Sequence, residues 1–187
     1  WVNAIVCDYN NVFDPKVLMR RFFTEESGPF VFLVDEAHNL VDRAREMFSA
    51  DLDRMQMVKV KRSVQKEAPA CAKALDKVNR YFLGLRNKAA STGHPDHTTP
   101  IVTKEAPEGL IPLLRTFLRE ADAWLIQDHP AAFREDLLQL YFRVSGFART
   151  AELYDERYVT ILEGTGEQAR LRLFCLDLAT TEADLTS

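Results

Sequence analysis

Residues 30–39 read Phe-Val-Phe-Leu-Val-Asp-Glu-Ala-His-Asn, five apolar residues that end on two carboxylates and a helix start. Such a run has no polar face to present to water, so it predicts a strand covered on both sides, the form strands take in parallel sheets. In open α/β sheets ligands bind beyond the carboxyl ends of the strands, where Asp35 and Glu36 fall. Two adjacent acids at that edge suit nucleotide hydrolysis. One holds Mg²⁺ while the other orients or deprotonates the attacking water. A competing reading is helix capping, because Asp and Glu favour helix N-termini in any strand-to-helix turn.

The letters Asp35-Glu36-Ala37-His38 have the form of a Walker B motif, written as in the DEAH helicases of superfamily 2. The flanks resemble the XPD/DinG-like helicases. Residues 4–14, Ala-Ile-Val-Cys-Asp-Tyr-Asn-Asn-Val-Phe-Asp, followed by Pro15, are similar to that family's strand and Y-N-Y-(L/V)-(L/F)-D-P stretch. Residues 35–49 resemble its continuation after DEAH. Tyr158–Glu163 and Leu171–Asp177 resemble the strands that return to the motor domain ahead of its T-S-A/G-T-L motif. The likeness is specific at residues 4–15 and 30–49 and only general over 50–155. Asn11 stands where the family often has an aromatic residue, and Leu178-Ala179 replaces its usual Pro/Ala-Ser.

The resemblance implies an α/β fold: part of a RecA-like parallel-sheet motor domain, carrying a large α-helical arch insertion and a C-terminal β-hairpin. Residues 1–49 would belong to motor domain 1, 50–155 to the arch, and 156–187 to the strands leading back. The implied activity is Mg-ATP hydrolysis coupled to 5′-to-3′ translocation on single-stranded DNA, in DNA repair or replication. Asp35, Glu36 and His38 would be the catalytic residues, with Asp35 and Glu36 facing ATP. Asp35 would hold Mg²⁺ through water and Glu36 would act on the hydrolytic water. His38 would couple the nucleotide site to the opposing motor domain. The implied partners are single-stranded DNA and the rest of a helicase chain, including motor domain 2. Members of this family often carry a four-cysteine Fe–S domain upstream of the corresponding position; no cysteine spacing here matches it, so no cluster is assigned to this segment.

No Gly-x-x-x-x-Gly-Lys-(Ser/Thr) occurs, and no glycine is followed by lysine. The backbone amides and lysine that cradle the β- and γ-phosphates are therefore not supplied here. The sequence opens on Trp1, stops at Ser187 ahead of the next expected motif, and shows no identifiable arginine finger. These features predict an internal segment of a larger helicase, inactive alone.

At 187 residues and 47% hydrophobic content the chain can bury a substantial core. No apolar run approaches the roughly 20 residues needed to span a bilayer, and no signal peptide is visible. The net charge of −4 argues against a free-standing nucleic-acid binder without excluding a local basic track. Cys7, Cys71 and Cys175 are three widely spaced thiols in apolar surroundings, which predicts a reduced intracellular protein rather than a disulfide framework. In a bacterium that means the cytoplasm, at the nucleoid.

Patterning predicts strands at 3–8 and 30–34, a short helix over Val17–Phe23 between them, and a helix over Asn39–Ala50. Together they would form a right-handed βαβ unit that sets Asp8, Tyr9 and Asn10 on the same edge as Asp35. Long helices follow. Cys71, Leu75, Val78, Phe82, Leu85 and Ala89 recur at steps of three and four, and two further apolar stripes run over 110–125 and 133–148. Val159–Glu163, Gly164-Thr165-Gly166 and Ala169–Cys175 read as a hairpin. Phe117 and Trp124 lie on an apolar stripe, which predicts core packing rather than base stacking.

Lys59, Lys61, Arg62 and Lys66, preceded by Arg54, form a basic run that could track a DNA backbone, although charge runs are more often solvated faces. His94, Asp96 and His97 sit in a segment rich in turn residues, and two histidines without a third ligand do not make a metal site. Two other readings stay open. One is a non-catalytic interaction or regulatory module in which the acids cap a helix. The other is a metal-dependent phosphoesterase using Asp35, Glu36, His38 and Asp42.

Overall fold

The computed structural model describes residues 4–14, 19, 31–91, 100–127, 130–164 and 168–176, with residues 86–91 described by backbone alone. Among these, six α-helices and four short strands are formed: α1 Asn10–Phe13, α2 Leu40–Met47, β1 Ala50–Asp53, α3 Arg54–Val64, α4 Pro69–Ser91, β2 Ile101–Thr103, α5 Ile111–Leu125, α6 Arg134–Glu152, β3 Tyr158–Glu163 and β4 Arg170–Cys175. The fold is mixed α/β. Its sheet runs in the order β1-β4-β3-β2 and is antiparallel at every pairing.

The three apolar stripes each bury as a helix face. Cys71, Leu75, Val78 and Phe82 of α4, Leu114, Phe117 and Ala121 of α5, and Leu137, Leu140, Val144 and Phe147 of α6 are all buried in one core. The helices α3, α4, α5 and α6 pack in a ring, each against the next and α6 back against α3. Burial contributes roughly 1.5–3 kcal/mol for each fully buried large side chain of this core. Trp124 meets Phe133 at 5.0 Å, and Arg134 donates from Nη2 to the Leu125 carbonyl at 2.9 Å, closing the connection between α5 and α6. Phe117 and Trp124 are therefore core residues, as their stripe predicts. Burial, and secondarily Glu120, pushes the Cys71 thiol up to about 11, so it stays protonated and inert.

The sheet lies beside this ring. In β4 the alternation puts Leu171, Leu173 and Cys175 inward and Arg170, Arg172 and Phe174 on the other face. There the Arg172 guanidinium sits 4.7 Å from the Phe174 ring centre. The hairpin forms as expected, with Tyr158 opposite Cys175 and Glu163 opposite Arg170. Gly164, at φ 75°, takes the left-handed turn position; a Cβ there would meet the Gln168 carbonyl oxygen at 2.5 Å.

Several expectations are corrected. The helix expected to reach Ala50 ends at Met47, and Ala50–Asp53 forms β1 instead. Leu52 turns inward opposite Leu171, and the Ser49 hydroxyl accepts from the Cys175 amide at 3.2 Å. Asp53 then caps α3 by accepting from the Met55 amide at 2.7 Å, so strand passes into helix without a loop. The strand β2 was also not expected.

The largest correction concerns the parallel pair. Residues 4–8 and 31–34 form no strand; the flanking residues 3 and 30, and the expected helix over Val17–Phe23 apart from Met19, lie outside the described residues. Val31 and Leu33 are 87% and 96% exposed. An apolar run becomes a strand only where neighbours complete its hydrogen-bond ladder, and no described residue does so here. The 4–14 segment nonetheless lies close by, with the Phe13 and Phe32 rings 6.2 Å apart.

Two ion pairs give the body an acid sensitivity. Hydrogen bonding to Arg157 holds the Asp155 carboxyl below its ordinary value of 3.8, and the Lys61 ammonium does the same for Asp76. Because the folded value lies under the unfolded one, each contribution is fully present above about pH 4 and is lost as pH falls through the depressed value. Asp155→Asn combined with Asp76→Asn should therefore lower stability at neutral pH and converge with the parent protein in acid. Urea titrations at several pH values test this, and a gap that stays constant down to roughly pH 2.5 would contradict it.

Candidate nucleotide-hydrolysis site

Asp35 and Glu36 sit where the irregular segment 31–34 turns into a single 3-10 turn, Ala37–Asn39, and then α2. Glu36 has φ 50° and ψ 39°, the left-handed region, and is the one described non-glycine residue with positive φ. For a glutamate this conformation is uncommon, and such backbone is held mainly where a site requires it. Its effect is local and specific. The Glu36 amide turns back to donate to Asp35 Oδ1 at 2.9 Å, and the Asn39 amide donates to the Glu36 carbonyl at 2.9 Å. His38 Nδ1 lies 3.2 Å from Glu36 Oε2, within reach for the imidazole to donate to the carboxylate when Nδ1 carries a proton.

Asp35, Glu36 and His38 are exposed. The capping alternative requires an acid side chain to accept from amides of the first helical turn. Glu36 makes no such bond to the 3-10 turn, and Asn39 makes none to α2. Asp42, the fourth residue of the phosphoesterase alternative, lies on α2 and pairs with Arg45 at 3.2 Å.

Hard oxygen donors with open space before them fit Mg²⁺, which keeps several waters and takes one or two carboxylates together with substrate phosphates. Asp35 and Glu36 offer that donor set. Among the described residues no group of three or more His, Cys, Asp or Glu side chains stands ready to cage a metal, so a cation here would depend on other ligands. His94, Asp96 and His97 lie outside the described residues.

The basic run divides. Lys61 reaches Asp76 of α4 at 2.8 Å, and Lys59 reaches Asp136 of α6 at 3.1 Å. Arg54 is buried and donates from Nε to the Asn79 side chain at 2.8 Å, which makes it a tie between α3 and α4. Arg62 and Lys66 are exposed, and Lys59 and Arg62, one helical turn apart, line a shallow cavity of about 290 Å³ with Ser63. The partner acids lie outside the run, 15 and 77 positions from their lysines, so nothing within the run itself signals these pairings. Nor does any glycine or asparagine mark the left-handed backbone at Glu36.

Residues 1–57 match the DEAD_2 family model, the DEAD_2 domain of XPD/DinG-type helicases. The matched stretch contains the acid pair and the segments ahead of it. It supports a helicase superfamily and suggests an ATP-hydrolysing, DNA-binding activity that uses ATP and Mg²⁺. No curated protein matches the chain. No helix among the described residues is long and apolar enough to cross a membrane.

Proposed function

We propose that residues 1–49 carry the hydrolytic acid pair of an ATP-dependent DNA helicase of the XPD/DinG kind. In this reading the chain is an internal segment of that helicase, which moves 5′-to-3′ on single-stranded DNA in repair or replication. The observation that carries the reading is the DEAD_2 match over a turn with two exposed acids, in which Glu36 has left-handed backbone and makes no capping bond. Residues 50–155 would form the arch-like insertion, and the hairpin within 156–187 would lead back to motor domain 1. The exposed apolar segment 31–33 would be covered by further strands of the motor sheet.

Glu36 is the base in this mechanism. Its carboxylate, within reach of His38, accepts a proton from the water that attacks the γ-phosphate. Asp35 would hold Mg²⁺ through water, and the ion would supply neutralisation of phosphate charge. His38, whose Nδ1 lies 3.2 Å from Glu36 Oε2, would sense the opposing motor domain. The phosphate loop and motor domain 2 would come from elsewhere in the longer chain.

Lys59, Lys61, Arg62 and Lys66 are the proposed DNA contacts, with Lys59 and Arg62 sharing the open face of α3. Each phosphate contact releases counterions, so affinity should fall steeply with salt. The test is ATP turnover and single-strand binding by the complete protein at several salt concentrations, with Lys59, Lys61 and Arg62 intact or changed to alanine. DNA should stimulate turnover, and the triple variant should bind more weakly with a salt slope shallower by about 2–3. Absence of stimulation would contradict the helicase reading, whereas an unchanged slope would return the run to a solvated, ion-paired face.

A further inference from the structure

A second cavity shares no lining residue with the one beside Lys59 and Arg62 on α3. Of about 470 Å³, it opens between the second half of α4, the edge strand β2, the 104–110 loop and the sheet. Its volume is in the range of small-molecule sites, roughly 300–1,000 Å³. Ile101, Leu162, Leu171 and Tyr81 give it an apolar lining, and Glu105 and Glu108, both exposed, line it as well.

The loop is fixed before any ligand arrives. Thr160 Oγ1 donates to the Glu105 carbonyl at 2.8 Å, the Glu105 amide donates to Thr103 Oγ1 at 3.1 Å, and the Leu110 amide donates to the Pro107 carbonyl at 2.9 Å. Gly109 lies so near Tyr81 that an added Cβ would meet its ring at 3.2 Å. Among the described residues no lysine, arginine or histidine lines the cavity, and its two charged groups are both carboxylates. Among the described lining residues the charge is thus negative, which favours a cation over a phosphate. The complementary ligand combines an apolar body with a positive charge.

We propose that this cavity binds a small organic ammonium ion, its apolar body against Ile101, Leu162 and Leu171 and its charge against Glu105 and Glu108. The proposal is independent of the hydrolytic site. It is tested by amide-resolved NMR titration of the 187-residue chain at low salt with 2-phenylethylammonium and with its neutral isostere 2-phenylethanol. The ammonium should shift the Gly109, Thr160 and Leu162 amides with a dissociation constant of about 1 mM or below. The alcohol should bind about threefold or more weakly, as befits an exposed ion pair. Glu105→Gln with Glu108→Gln should erase that preference and leave the alcohol unaffected, and Ala106→Leu, enlarging a lining residue, should weaken both. Both glutamates are exposed, so the double variant should keep its fold, which the dispersion of the same spectra reports. No shifts at these amides, equal affinity for the two probes, or an ammonium preference that survives the double substitution would each overturn the proposal.

Discussion

Replacing Phe117 by alanine should cost about 3–5 kcal/mol, the largest loss of stability expected from any single substitution considered for this chain. Phe117 lies at the middle of α5, fully buried in the core that α5 shares with α4 and α6. Truncation removes the transfer free energy of the ring and leaves a cavity that helices anchored at both ends cannot close. Domains are stable by only about 5–15 kcal/mol, so the loss is a large fraction of the whole. Phe142 is the control. It sits on α6 with 63% of its surface exposed, and its truncation should change stability by no more than about 0.5 kcal/mol. Urea unfolding followed by far-ultraviolet circular dichroism measures both, and equal effects would mean that the three stripes do not share this core.

Those stripes were legible because a helix repeats its inward face every three to four residues, and α4, α5 and α6 are long enough to show the repeat several times. The hairpin was legible for a related reason: Gly164-Thr165-Gly166 punctuates two alternating runs. The strand β1 was not, because Ala-Asp-Leu-Asp offers only Leu52 as a large inward residue, and its partner Leu171 lies more than a hundred positions away. The three residues of β2 are too few to show any period. Residues 31–34 erred the other way. Their composition is that of a buried strand, but a strand is made by its neighbours, and among the described residues none pairs with them. At the site, the acid pair and His38 could be picked out by type and spacing. The bend that turns the Glu36 amide onto Asp35, and the imidazole onto Glu36, could not be, since glutamate carries no preference for left-handed backbone.

The proposed hydrolytic chemistry rests above all on Glu36. In the complete protein Glu36→Gln keeps the side chain's shape and one hydrogen-bonding oxygen, so the His38 contact and the donor set of Asp35 should persist. It removes the basicity that accepts the proton from the attacking water, a loss worth typically about 10²–10⁴-fold for a positioned acid–base group. Asp35→Asn removes charge from the proposed Mg²⁺ ligand instead, so it should weaken nucleotide binding as well as turnover. Helix capping predicts a different pattern, in which both variants change stability a little and turnover hardly at all. The deciding measurement is DNA-stimulated steady-state ATP turnover by the complete protein carrying Glu36→Gln, with ATP and single-strand binding measured in parallel. A fall in kcat of at least about a hundredfold with both affinities retained is the predicted result; turnover close to that of the unaltered protein would contradict it.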